Sequence, residues 1–157
     1  MSKLKVLVVE DEIIIADNIC DVLEDLGYEV TEPAINYTEA LVLIEQEKPD
    51  IAILDIQLSG RKTGIDIAKQ IREKYNFPFI FLTSNSDKMT IDEAKEVMPP
   101  AFLIKPFTKE ELYSAIEITL SNFEKKAINE KELLSEKFLF IKIKGVYTKI
   151  IQKDILY

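Results

Sequence analysis

At 157 residues, 47% hydrophobic and 31% charged, the chain has room for one well-packed domain and a fragment, but not for two ordinary domains. No apolar run is long enough to span a bilayer, Met1-Ser2-Lys3-Leu4 carries no signal-peptide core, and Cys20 is the single cysteine; a cytoplasmic protein without internal disulfides or membrane contact is expected. The chain has no histidine, which excludes histidine-based catalysis and the usual zinc sites and leaves oxygen ligands for a hard cation. The net charge of −8 is uneven: residues 136–157 hold five lysines against two acids, a local +3 that leaves −11 for the preceding part. That shift predicts a boundary near Ser135.

Taken in order, Lys3-Leu4-Lys5-Val6-Leu7-Val8-Val9 predicts a first buried strand ending in Glu10-Asp11-Glu12. Ile13, Ile14, Ala16, Ile19, Cys20, Leu23 and Leu26 recur at helical spacing, and Gly27 caps that helix. Tyr28–Thr31 reads as a short second strand, and Thr38 opens a helix through Leu41, Val42, Ile44 and Glu45 that closes before Pro49. The run Ile51-Ala52-Ile53-Leu54, bracketed by Asp50 and Asp55, is the pattern of a strand buried on both faces. A loop, Ser59 to Gly64, leads into a third helix on Ile65, Ile67, Ala68 and Ile71; Phe77–Leu82 is a fourth strand ending at Thr83. Asp87–Met98 is a polar helix, Ala101–Ile104 a fifth strand, and Lys105-Pro106-Phe107 follows it. Thr108 caps a long last helix with Glu110 and Glu111 in its first turn, and the apolar period frays from Lys125 to Leu134.

Alternation of strand and helix predicts an α/β fold, a doubly wound five-stranded parallel sheet. Right-handed crossovers then bring every strand's C-terminal end to one edge, where such sheets bind ligands. Glu10, Asp11, Asp55, Thr83 and Lys105 all sit at those ends. Singly they have plainer readings: helix caps for the acids, a strand-end hydroxyl, a solvated lysine. Jointly they form three mutually repelling carboxylates that a divalent cation would reconcile, with a lysine and a hydroxyl suited to a phosphoryl group. A nucleophilic carboxylate, a metal and a cation are the parts used for phosphoryl transfer. Phosphatases with an Asp nucleophile of the haloacid dehalogenase type want a second Asp two residues on, where this chain has Gln57.

Val-Val-Glu10-Asp11-Glu, Leu-Asp55-Ile, Leu-Thr83-Ser and Ile-Lys105-Pro106-Phe107 resemble the motifs of response-regulator receiver domains, over about residues 3–126. The resemblance implies a flavodoxin-like sheet of strand order 2-1-3-4-5. It implies Asp55 as acceptor of a phosphoryl group from a sensor histidine kinase. It implies Mg²⁺ (or Mn²⁺) on Asp11, Asp55 and the backbone carbonyl of Gln57, with Glu10 acting through water. Thr83 would move toward the phosphoryl group and Phe102, at the switch-aromatic position, would turn inward. Gln57 and Asn85 lie where relatives tune the lifetime of the phosphoryl group. A homodimer through the fourth helix, fifth strand and fifth helix is a further implication, with Lys88, Asp92, Lys95 and Glu96 offering alternating charges. The chain departs from the family pattern in the loop after Asp55, which lacks the frequent proline and is one residue longer to its glycine. It also has Pro100-Ala101 for the usual Gly-Ala, and its Phe102 lacks the hydroxyl of a tyrosine.

The expected domains are a receiver over 1–126, a helix extension or linker over 127–136 and a β-rich tail over 137–157. In that tail Phe138–Ile151 reads as a β-hairpin around Lys144-Gly145. Phe-Ile-Lys-Ile-Lys-Gly with Lys153-Asp154-Ile155-Leu156-Tyr157 resembles the opening strands of a LytTR-type DNA-binding domain, implying the start of a truncated output domain. The expected function is a phosphorylation switch, not a turnover enzyme, driving a transcriptional output that binds DNA in the full-length protein. The alternative is a stand-alone phosphorelay or protein-interaction receiver.

Overall fold

The computed structural model describes residues 3–83 and 101–143, with 130–143 as backbone only. The chain divides into two units, Met1–Ser121 and Asn122–Tyr157. In the first, strands β1 (Lys5–Val9), β2 (Glu29–Val30), β3 (Ile51–Asp55), β4 (Phe79–Thr83) and β5 (Ala101–Ile104) form one sheet of order β2-β1-β3-β4-β5. Every neighbouring pair is parallel. The helices are α1 (Ile13–Asp25), α2 (Tyr37–Glu47), α3 (Gly64–Gln70), continued by a π-helical turn over Ile71–Tyr75, and α4 (Lys109–Ile143). The expected doubly wound sheet with its long last helix is thus the observed fold.

A parallel sheet covered on both faces needs apolar side chains on both, so β3 and β4 are buried at every position. Leu7, Val9, Ala52, Leu54, Phe79 and Phe81 feed one core layer, against Ala40 and Ile44 of α2 and Ile67 and Ala68 of α3. Val6, Val8, Ile51, Ile53, Ile80 and Leu82 feed the other, against Ile19 and Leu23 of α1 and Leu112 and Ile116 of α4. The strand period of two decides which layer each residue joins.

Several local expectations shift. Ile13 and Ile14, read as part of the apolar face of α1, are 64% and 85% exposed; they form its first turn, ahead of the residues it buries, Ala16, Ile19, Cys20 and Leu23. The cap of α2 is Asn36, whose side chain accepts from the Glu39 N–H at 2.9 Å, so the helix starts one residue before Thr38. Pro78, without an N–H to donate, delays β4 to Phe79, although its carbonyl still accepts from the Ala52 N–H at 3.2 Å. Thr108 caps α4 as expected: its hydroxyl accepts from the Glu111 N–H at 3.0 Å and Glu111 Oε1 accepts from the Thr108 N–H at 3.2 Å.

The expected hairpin is corrected over its first strand. Phe138–Ile143 is helical, and the last helix runs on through Lys125–Leu134, where its period weakens, to Ile143. Extending a helix costs one residue's order per new hydrogen bond, whereas a two-stranded hairpin is marginal, and β propensity yields readily to context. The expected helix Asp87–Met98, with Asn85 and the four charged residues assigned to a dimer face, and the remainder of the hairpin from Lys144 lie outside the described residues. No helix among the described residues is long and apolar enough to cross a membrane.

Candidate functional site

Four strand ends supply the site. Glu10 follows β1, held there by its N–H donating to the Ala34 carbonyl at 2.9 Å. Its side chain is fully buried; Oε1 accepts from Lys105 Nζ, and Oε2 has no hydrogen-bond partner. Burial first, and then the adjacent Asp55 carboxylate, push the Glu10 carboxyl up to about 8, with Lys105 only partly opposing them. Asp11, half-buried, accepts a hydrogen bond from the Ser59 hydroxyl at Oδ2, 2.7 Å away, and this contact holds its carboxyl below the usual range against the effect of burial.

Asp55 ends β3 and is buried; Oδ1 accepts from the Gln57 N–H at 3.0 Å and Oδ2 from Lys105 Nζ at 3.2 Å. Lys105 follows β5, its N–H donating to the Thr83 carbonyl at 2.8 Å, and its peptide bond to Pro106 is cis. Burial disfavours its charge, but the carboxylates of Glu10 and Asp55 outweigh burial and raise its pKa. Thr83 ends β4 as a buried residue beside the site. Phe102, half-buried in β5, tilts against Phe81 with ring centroids 5.8 Å apart, on the core layer under α2 and α3. Gln57 is exposed in the loop. Asn85 lies outside the described residues.

Glu10, Asp11 and Asp55 each present a carboxylate oxygen within 4.8 Å of the others. Lys105 is shared between Glu10 and Asp55, and Glu10 Oε2 is left buried and unpartnered, a costly arrangement that a further cation would relieve. The all-oxygen donor set fits Mg²⁺ or Mn²⁺ and not a softer ion.

Two residues that sequence reasoning left in the loop also shape the site. Ser59 makes the contact to Asp11 described above. Gly64 opens α3 with its N–H donating to the Ile56 carbonyl at 3.1 Å, and a Cβ there would stand 2.1 Å from the Asp55 carbonyl oxygen. The Thr63–Asp66 capping box, with the Thr63 N–H donating to Asp66 Oδ2 at 2.8 Å, fixes that approach. A glycine beside a capping threonine was the only sequence signal; Ser59 had none.

A family model described as the response regulator receiver domain matches residues 6–117. The transcriptional regulatory protein PdtaR of Mycobacterium tuberculosis is 36% identical over 135 residues, covering 85% of this chain. The chain spans 65% of the length of that curated relative. Among solved structures, the signal receiver domain of a modulated diguanylate cyclase from Desulfovibrio desulfuricans G20 is 35% identical with a TM-score of 0.74, over 78% of this chain and 97% of that one. The chemotaxis protein CheY4 of Vibrio cholerae is 31% identical with a TM-score of 0.67, over 75% of this chain and 99% of that one.

Proposed function

This chain belongs to the response regulator receiver domain family of two-component signalling, and we propose that Asp55 is its phosphoacceptor, taking a phosphoryl group from the phosphohistidine of a sensor histidine kinase in a Mg²⁺-dependent step. The observation that carries this reading is the convergence of Glu10, Asp11 and Asp55 within 4.8 Å, with Lys105 Nζ 3.2 Å from Asp55 Oδ2. A carboxylate oxygen of Asp55 forms the new bond to phosphorus as the bond from phosphorus to the donor imidazole breaks. Lys105, now bridging Glu10 and Asp55, is a mobile positive point charge able to follow a phosphoryl oxygen. The Gln57 N–H on Asp55 Oδ1 holds the nucleophile's rotamer.

Asp11, Asp55 and the Gln57 carbonyl would hold the cation, with Glu10 acting through water. The bound ion supplies charge neutralisation on the phosphoryl oxygens. Thr83 would hydrogen-bond the phosphoryl group and Phe102 would turn further into the core, coupling the site to the β4–β5 edge. Gln57 and Asn85 would set the phosphoryl lifetime. The protein acts as a switch and not as a turnover enzyme.

For the output, similarity to a transcriptional regulatory protein favours a regulator of transcription with a DNA-binding output. The receiver itself is acidic, an unfavourable surface for nucleic acid. The test is incubation with Mg²⁺ and acetyl phosphate, read by intact mass, for the wild type and Asp55→Asn. One phosphoryl adduct on the wild type, lost with EDTA and in the variant, is the expected result. An adduct that persists in Asp55→Asn would assign the acceptor elsewhere.

A further inference from the structure

Ser59 lies in the loop after β3, in a segment whose turn is made by Gly60 at φ +101°. Its hydroxyl reaches across to Asp11 Oδ2, 48 positions earlier in the chain, at 2.7 Å. That contact joins the loop carrying Asp11 to the loop carrying Gln57, two loops that no backbone ladder connects at this point. Both ends are accessible to solvent, Ser59 exposed and Asp11 half-buried, so the hydrogen bond does little for the core. Its effect falls on the direction of one carboxylate. A carboxylate has about four lone-pair sites over its two oxygens, so the serine hydroxyl on Oδ2 leaves Asp11 able to bind a cation.

We infer that Ser59 is a positioning residue for divalent-cation binding: it holds the Asp11 carboxylate aimed at Glu10 and Asp55. This rests on the metal-dependent reading of the site given above. Two effects of removing the hydroxyl oppose one another. Loss of a donor makes the carboxylate slightly more basic, which favours the cation; release of the rotamer and of the loop-to-loop tie disfavours it. The Ser59 hydroxyl, at 2.7 Å, makes the strongest contact on the Asp11 carboxylate, ahead of Glu10 and of the backbone at Asp11 and Ser59, so the second effect dominates. Removing an outer partner of a metal ligand lowers affinity about 10- to 100-fold in general, and the accessible position of Ser59 puts this case near tenfold.

The test is titration calorimetry of the unphosphorylated full chain with MgCl₂ and with MnCl₂, for wild type, Ser59→Ala, Ser59→Thr and Asp11→Asn. Melting temperatures in EDTA are taken alongside. Ser59→Ala is expected to weaken both cations about tenfold with an unchanged melting temperature in EDTA, and Ser59→Thr, which keeps the hydroxyl, to recover most of the affinity. A Ser59→Ala affinity equal to or tighter than wild type, while Asp11→Asn abolishes binding, overturns the role of Ser59 and leaves the metal site standing. Equal weakening in Ser59→Ala and Ser59→Thr with a lowered melting temperature in EDTA overturns it as well, by making the loop contact structural. Absence of binding by the wild type overturns the metal-dependent reading itself.

Discussion

Glu10 concentrates the physics of the site in one side chain. It is fully buried, shares Lys105 with Asp55 and keeps one oxygen unpartnered. A carboxyl raised to about 8 from an ordinary 4.5 favours the protonated folded state. Its contribution to stability is complete below the ordinary value and is lost as pH rises through about 8. In EDTA, therefore, the melting temperature of Glu10→Gln minus that of wild type is expected to grow from pH 4.5 to pH 8, because glutamine stays neutral; a flat difference would contradict the assignment. Gly64 is the second such residue. With a Cβ 2.1 Å from the Asp55 carbonyl oxygen, which is backbone and cannot swing away, Gly64→Ala is expected to destabilise by about 3 kcal/mol, the upper end for overpacking. Urea unfolding measures that loss, and the phosphoryl adduct should fall with it because the displaced strand carries Asp55.

Among elements, α4 draws on three sources of order. Near its start a reciprocal Thr108–Glu111 cap satisfies free N–H groups, and Leu112 and Ile116 bury against the sheet. Directly after Ile116, Glu117 Oε1 accepts from the Tyr28 hydroxyl at 2.7 Å, tying α4 to the chain just before β2. Burial, with Glu117 beside it, raises the Tyr28 hydroxyl's pKa, so it stays a donor throughout the physiological range. Tyr28→Phe is expected to cost about 1 kcal/mol in chemical unfolding, the net worth of one hydrogen bond. No loss in Tyr28→Phe would mean that water replaces the phenol without penalty. The sheet shows why element type was readable and element ends less so. Buried runs such as Ile51–Leu54 admit few alternatives, whereas ends depend on single caps: Asn36 outcompeted Thr38 because its side-chain carbonyl met the Glu39 N–H.

At the scale of the molecule, cation binding at this site would be linked to folding, because the unfolded chain does not hold Asp55 beside Glu10 and Asp11. Mg²⁺ at 100 times its Kd is expected to stabilise the wild type by about 2.7 kcal/mol, read as a raised melting temperature, and Asp11→Asn should lose that response. A melting temperature indifferent to Mg²⁺ would count against the site. By itself the sequence determined the alternation of strand and helix, hence the parallel sheet and its edge, and hence which five residues meet there. These follow from periodicity and chain handedness, which are local. Only the tertiary structure decided that Glu10 is buried with an unpartnered oxygen, that Ser59 reaches Asp11, and that Gly64 lies against the Asp55 carbonyl. It also decided that Phe138–Ile143 continues a helix despite a β-prone composition. Such outcomes depend on groups far apart in sequence, or on a helix already nucleated upstream, and no local pattern encodes either.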